Sequence, residues 1–515
     1  MSSVLFLLAD EHNPWVAGFM GHPCVRTPNL DALAARGTVF ERAWTTSPLC
    51  VPARASLATG RYVHQHRYWD NAIAYDGAVP SWMQVLSAAG VDVDAIGKLH
   101  FRRESDPVGF RRQIIPVHIQ DGVGQVWGSV RDPLPDEPAG SGMFKRLGAG
   151  ESPYNRYDMD VSRRACDWLR ERAREGQAGQ GSDSSSVSPG RAPAPGRSSV
   201  APGQALASGQ AQGSGRPWLL FCSLVAPHFP LVVPERYLQR VLNDPSLETC
   251  LPEAGGEHHP WVARMLAYTD HDASLGTDER RRYAVACYLA LVEFMDERVG
   301  EVLDALRDSG LEATTRVIYT SDHGDNLGAR RLWNKGTLYR ESTGVPMILA
   351  GPGVPAGRRC QTNVSLVDVF PTLVEALAPE ARVAGLPGAS LWEIARAPDD
   401  SGRQVFGEYH GVGSPSGGYF LADGFYKYHH YAGYGPELFD VREDPAERRD
   451  LAGLPGSAEV LARLDERLRA IVDPERADRQ AKDDQNQLVL RHGGREQALG
   501  AGRRGATGVP ASYDR

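Results

Sequence analysis

Short apolar runs separated by longer amphipathic stretches fill residues 1–385, and this alternation constrains the fold more than any other feature of the chain. Val4–Ala9, Val91–Ile96, Trp218–Val225, Val317–Thr320 and Pro346–Ala350 are short and apolar, with branched and aromatic residues in most, and so predict strands. Pro28–Ala35, Ser81–Ala89, Asp160–Arg174, Arg280–Arg307 and Val369–Ala378 read as helices. Such alternation predicts an α/β fold with a large, mostly parallel sheet flanked by helices. Polar clusters stand just beyond four of the runs: Asp10-Glu11, Lys98-Leu99-His100, His228 and Asp322-His323. In an open parallel sheet, ligands bind beyond the carboxyl ends of the strands, so the four clusters should converge on one crevice.

The texture changes after about residue 385, where the short extended pieces Gln404–His410, Gly418–Leu421 and Tyr426–Tyr428 precede a helix near Ala458–Ile471. A smaller C-terminal α+β subdomain over 386–475 is expected. Gly176–Arg216 is rich in Gly, Ser, Ala, Pro and Gln, too poor in large apolar side chains to support a core, and reads as a disordered insertion. The tail 476–515 is charged and glycine-containing; it either frays or reaches a neighbouring subunit of a homo-oligomer. Gln487–Leu490 and Ala511–Asp514 are its candidates for docking.

With 515 residues, 42% of them apolar, the chain can bury an extensive core. A net charge of -8 and the lack of a basic helix exclude a nucleic-acid partner. Val4–Ala9 is too short for a membrane span or a signal segment and lacks a basic flank, so no membrane partner and a cytoplasmic location are expected. Seven scattered cysteines form neither a disulfide framework nor a C-x-x-C metal motif.

One cysteine stands apart. In Cys50-Val51-Pro52-Ala53-Arg54, Pro52 suits a first helical turn, Ala53–Ala58 suits a helix and Gly60 can end it. Cys50 would lie at a helix N-terminus, where free N–H groups favour an anion, with Arg54 one turn on pointing at the same anion. The stretch through Gly60 reads C-x-P-x-R-x-x-L-x-T-G and resembles the catalytic turn of the sulfatase family, closest in motifs to choline sulfatases and bacterial arylsulfatases. The resemblance implies that a formylglycine-generating enzyme converts Cys50 to formylglycine. The substrate would be a small-molecule sulfate ester.

Asp10, Glu11, Asp322 and His323 are oxygen and imidazole donors suited to a divalent cation, Ca²⁺ foremost, with Mn²⁺ or Mg²⁺ as alternatives. The resemblance places the family's metal site on these residues together with Cys50. Glu11 departs from the Asp or Gln commoner there. Arg54, Lys98 and Lys335 would hold the sulfate oxygens, His228 would protonate the leaving alcohol, and His100 would accept a proton during release. Asn71, 21 residues beyond Cys50, matches a substrate-contacting asparagine of choline sulfatases and phosphonate monoester hydrolases. Trp69, Trp127, Trp333 and Tyr409 are candidates for an aromatic cage. Three functions remain: a sulfate monoester hydrolase, a phosphonate monoester or phosphodiester hydrolase on the same fold, and a non-catalytic anion-binding protein. The Lys98-x-His100 pair resembles that of sulfatases and not the residues phosphonate hydrolases carry there, and this resemblance favours the first over the second.

Overall fold

Ser3–Asp10 is buried along its whole length. Leu5, Leu7 and Ala9 enter one apolar cluster, while Val4, Phe6 and Leu8 enter another, so alternate side chains serve two covered faces. The computed structural model describes residues 3–136, 142–182, 216–253, 255–500, 505–508 and 510–513. Ser3–Asp10 lies near the middle of an eight-stranded sheet ordered Arg358–Cys360, Gly37–Phe40, Met347–Ala350, Thr315–Ser321, Ser3–Asp10, Trp218–Pro227, Asp92–Lys98, Arg112–Val117. Met347–Ala350 runs antiparallel to both neighbours, and every other adjacent pair is parallel.

Helices cover both faces. Pro28–Ala35, Pro153–Ser182 and Asp278–Asp308 pack on the first. Cys50–Thr59, Trp82–Ala88 and Val369–Leu377 pack on the second. Asp278–Asp308 begins with the Thr277 side chain accepting from the Arg280 N–H, carries Asp278 and Glu279 in its first turn, and has Arg307 in its last. Those charges complement the helix dipole.

All five predicted strands and all five predicted helices are present, with ends displaced by a few residues. The helix expected at Asp160–Arg174 runs further in both directions, Pro153–Ser182. Its extension through Ser182 takes up the start of the expected insertion, and residues 183–215 lie outside the described residues. Gly37–Phe40, Arg112–Val117 and Arg358–Cys360 lie at or near the sheet's edges and gave no apolar run to read.

A separate four-stranded antiparallel sheet follows, formed by Val405–Tyr409, Gly418–Ala422, Tyr426–Tyr431 and Glu437–Asp440. Ala458–Ile471 packs on it through Leu464 and Leu468. The charged tail does not fray at Asp478. Pro474–Arg491 is a helix, started by Asp473 accepting from the Arg476 N–H and by Pro474 in its first turn. Gln485, buried on this helix, donates to Asp70 Oδ2 at 2.7 Å and to the His410 carbonyl at 2.8 Å, and accepts from Arg131 at 3.0 Å. The helix therefore docks on its own chain, and cutting Gln485 to alanine would strand buried partners at a cost of about 1–3 kcal/mol.

Candidate active site

Cys50 opens the helix Cys50–Thr59, and Leu49 before it is extended. Gly60 ends the helix in the left-handed region, with its N–H returning to the Ser56 carbonyl. The four predicted clusters and this helix start meet at one place. Cys50 Sγ lies 3.2 Å from His323 Nε2, 3.2 Å from Lys335 Nζ and 3.7 Å from Asp10 Oδ1. Asp10, Cys50, Asp322 and His323 each bring one ligand atom into a group no wider than 4.8 Å, and Asp10, Glu11 and His228 form a second such group.

Arg54 corrects an expectation. Its guanidinium does not face an anion site; it donates to Asp322 Oδ2 at 2.7 Å, to Asp10 Oδ2 at 2.9 Å, to the Lys98 carbonyl at 2.7 Å and to Ser223 Oγ at 3.1 Å. The planar fork fits two carboxylates, so Arg54 aligns and neutralises the acids beneath Cys50. Lys98 Nζ is likewise 2.5 Å from Asp10 Oδ2. Gly97 before it has φ +99°, and a Cβ there would meet the Ser223 carbonyl oxygen at 2.0 Å. Only glycine lets the neighbouring strand pass that close to Lys98.

Lys335 Nζ bonds Glu11 Oε2 at 2.9 Å as well as approaching Cys50. Burial opposes its charge, but the Cys50, Glu11 and Asp10 side chains hold its pKa well above the ordinary lysine value. His228 Nδ1 meets the Phe229 carbonyl at 2.6 Å and its Nε2 lies 3.5 Å from Glu11 Oε2. Burial, then Lys335 and Lys98, depress its pKa and keep the ring neutral. His323 Nδ1 lies 2.9 Å from the Gly324 carbonyl, which makes Nδ1 the protonated nitrogen and leaves Nε2 as a donor to a metal. Asn71 accepts from the Val51 N–H at 3.2 Å and donates to Gln125 at 3.1 Å, so it caps the Cys50 helix while lining the pocket. Glu11, His100 and Asn334 take positive φ values of 69°, 57° and 63° without being glycine, a backbone cost that gathers at this site.

The charges explain what the site can hold. Burial favours a protonated Asp10, yet Lys98, with Arg54 and Lys335 behind it, outweighs it and keeps this carboxyl well below its ordinary range. Glu11 goes the other way: burial exceeds the pull of Lys335, Asp325 and Asp10 add repulsion, and its pKa rises to about 8. With Glu11 protonated, buried Asp10, Asp322 and Asp325 balance Arg54, Lys98 and Lys335, and release of the Glu11 proton leaves a negative surplus. That surplus, on oxygen and imidazole donors, suits a divalent cation, whose binding would favour the release. The Cys50 thiol is pushed up to about 12 by burial and then by Asp10, so it is a poor nucleophile as a thiol.

A cavity of about 380 Å³ opens above Cys50. Asn71, His100, His228 and Lys335 line it with Gln125, Trp127, Tyr154, Met265, Tyr409 and Thr507. Of the proposed aromatic cage, Trp127 and Tyr409 reach this cavity; Trp69 is buried against His410, and Trp333 packs on Phe144. A larger cavity, about 720 Å³, lies by Arg330, Glu341 and Glu437 and contains none of the residues gathered around Cys50. Gln125, Tyr154 and Thr507 escaped sequence reasoning, because Gln125 and Thr507 lie in irregular segments without motif or periodicity and Tyr154 lies in the first turn of Pro153–Ser182, ahead of the helix expected from Asp160.

The Sulfatase family model matches residues 2–378, and that of the N-sulphoglucosamine sulphohydrolase C-terminal region matches 328–473. The chain belongs to the sulfatase family and is a sulfuric ester hydrolase. It is 28% identical to a choline-sulfatase of Rhizobium meliloti (strain 1021), over 88% of this chain and 83% of that protein. Arylsulfatase K of Bos taurus is 27% identical, over 92% and 82%. Among solved structures, a 2-O GAG sulfatase superposes with TM-score 0.67 at 21% identity, covering 93% of this chain and 96% of its own. Phosphonate monoester hydrolase of Agrobacterium radiobacter superposes equally, TM-score 0.67 at 23% identity, covering 92% and 95%. Among the described residues no helix is long and apolar enough to cross a membrane.

Proposed function

We propose that this enzyme hydrolyses a sulfate monoester to an alcohol and inorganic sulfate, with residue 50 acting as formylglycine beside a divalent cation. The observation that carries this reading is the packing of Cys50 Sγ against Lys335, His323 and Asp10, all within 3.7 Å. Asp10, Asp322 and His323 would hold the cation, with Glu11 completing the set once its proton leaves; Ca²⁺ fits the oxygen-rich donors best. When present, the cation would neutralise the anionic ester and lower the pKa of an attacking hydroxyl, and the oxidised residue would supply that hydroxyl.

The remaining work falls to the chain's own groups. Arg54 and Lys98 clamp Asp10 and so fix the floor of the site. Lys335, the ammonium nearest the reacting position, would hold a sulfate oxygen; a donor so placed commonly contributes on the order of 10²–10³ in rate. His228 Nε2, once it has taken up a proton, would pass that proton to the leaving alcohol, and neutral His100 would accept the proton that accompanies sulfate release. Four buried carboxylates, three fixed cations and a divalent ion leave about one positive charge, which suits a singly charged ester.

A phosphonate monoester or phosphodiester is also singly charged, and the shared fold keeps that second reading in view. Matched kinetics on an aryl sulfate and an aryl phosphonate, with wild type and His100→Ala, decide between them. The sulfate should be preferred, and His100→Ala should stall its turnover with a mass increase left on the residue-50 peptide. Preference for the phosphonate by orders of magnitude, undisturbed by His100→Ala, would overturn the assignment.

A further inference from the structure

The end of the chain returns to the active site. The Gln120 N–H donates to the Ala506 carbonyl at 2.9 Å, and Ile119 and Thr507 form an antiparallel bridge. Ala506 is 4% exposed. Further on, Tyr513 is held at both ends: its carbonyl accepts from Arg156 Nε at 3.0 Å, and its hydroxyl donates to Asp160 at 2.6 Å. Between these anchors the Thr507 hydroxyl lies 2.7 Å from His100 Nε2. Thr507 lines the same cavity as Cys50 and His100.

The direction of the Thr507 hydrogen bond decides which nitrogen of His100 keeps a lone pair. The ring is 1% exposed, and among the described residues Nδ1 has no hydrogen-bond partner. If Thr507 donated to Nε2, the proton of the neutral ring would sit on Nδ1 and no base would remain. If Thr507 accepts from Nε2–H, Nδ1 keeps its lone pair. The hydroxyl can go on accepting after Nδ1 is protonated, since an imidazolium still carries Nε2–H.

We propose that Thr507, on a C-terminal strap, is the positioning residue of His100, holding it as the Nε2–H tautomer so that Nδ1 serves as the proton acceptor of the reaction. The proposal rests on the sulfatase reading for what the proton does, and on the strap geometry for everything else. No motif marks Thr507, because its partner lies 407 residues away.

The test uses the full chain with Thr507→Val, which keeps shape and removes the acceptor, Thr507→Ala as a second acceptor-free variant, and Thr507→Ser, which restores the hydroxyl. Turnover of an aryl sulfate is measured together with histidine-selective ¹⁵N spectra and deuterium exchange at Gln120. Valine should lower kcat about 10- to 100-fold with KM within about twofold, the consequence of a buried Nε2–H left without a partner. Serine should return kcat to within about threefold of wild type. The His100 nitrogen signals should change from the Nε2–H tautomer to a mixture in the valine and alanine variants, while Gln120 keeps its protection. Unchanged kcat in a folded valine or alanine variant, or an unchanged His100 tautomer, overturns the proposal. A tautomer change in an enzyme that prefers a phosphonate upholds the Thr507 role and overturns the sulfatase reading instead.

Discussion

On the floor of the pocket Asp10, Lys98, Asp322 and His323 come from the ends of strands in the large sheet, and Arg54 from the helix that Cys50 opens; none is more than 2% exposed. The outer wall takes Trp127, Met265, Tyr409 and Thr507 from outside that sheet. The floor is a closed network in which one misplaced carboxylate leaves several charges uncompensated. Contacts on the wall are fewer and more separable. On the function proposed above, the reaction falls to the floor and the choice of alcohol to the wall, so damage to each should look different.

Removing the nucleophile should break the floor outright. Cys50→Ala is expected to lower kcat on the order of 10⁴-fold or more, measured on an aryl sulfate with folding checked by circular dichroism. Retained activity would mean that residue 50 is not the nucleophile. Arg54→Lys keeps one charge but loses the fork that joins Asp10 and Asp322, so kcat should fall by about 10²–10³ and calorimetry should show weaker divalent-metal binding. A loss of activity with unchanged metal binding would put Arg54 on the substrate after all.

The wall should respond more gently. Trp127→Ala is expected to raise KM up to about tenfold with kcat within about twofold, because Trp127 lines the cavity away from the groups around Cys50 and would meet the alcohol portion of a bound ester. A kcat collapse would erase the distinction between the two regions.

The smallest effect concerns a group behind the floor. Asp158 accepts the Val225 and Ala226 N–H groups at 2.8 and 2.7 Å, yet burial raises its pKa to about 7. The folded chain therefore holds this proton more tightly than the unfolded chain. Its stabilising share is complete near pH 4 and is lost as pH rises toward 7. Asp158→Asn lacks that loss, so its melting temperature should gain on wild type between pH 5 and pH 8. A constant difference would contradict the assignment.

Much of the floor was legible because its residues follow apolar runs, and a parallel sheet sends every such run to one edge. Val4–Ala9 announced Asp10, and Val317–Thr320 announced Asp322, before any contact was known. Arg54 shows where that reading stops. Spacing along a helix puts its guanidinium near the Cys50 turn, but whether a carboxylate or a substrate claims the fork depends on groups 44 and 268 residues away in sequence. The helix Pro474–Arg491 was hidden by its charge, since its buried contacts run through Asp478 and Gln485 as well as through apolar side chains. Trp127 could be named only as one of several large aromatics, and Thr507 had no local signal at all.

Mass analysis of the tryptic peptide 43–54 from catalytically active enzyme tests the central claim most directly. Oxidation of Cys50 to formylglycine should make the peptide lighter by exchange of sulfur for oxygen with loss of two hydrogens, and the converted fraction should follow specific activity from one preparation to the next. Active enzyme containing only unmodified cysteine at position 50 would contradict the account.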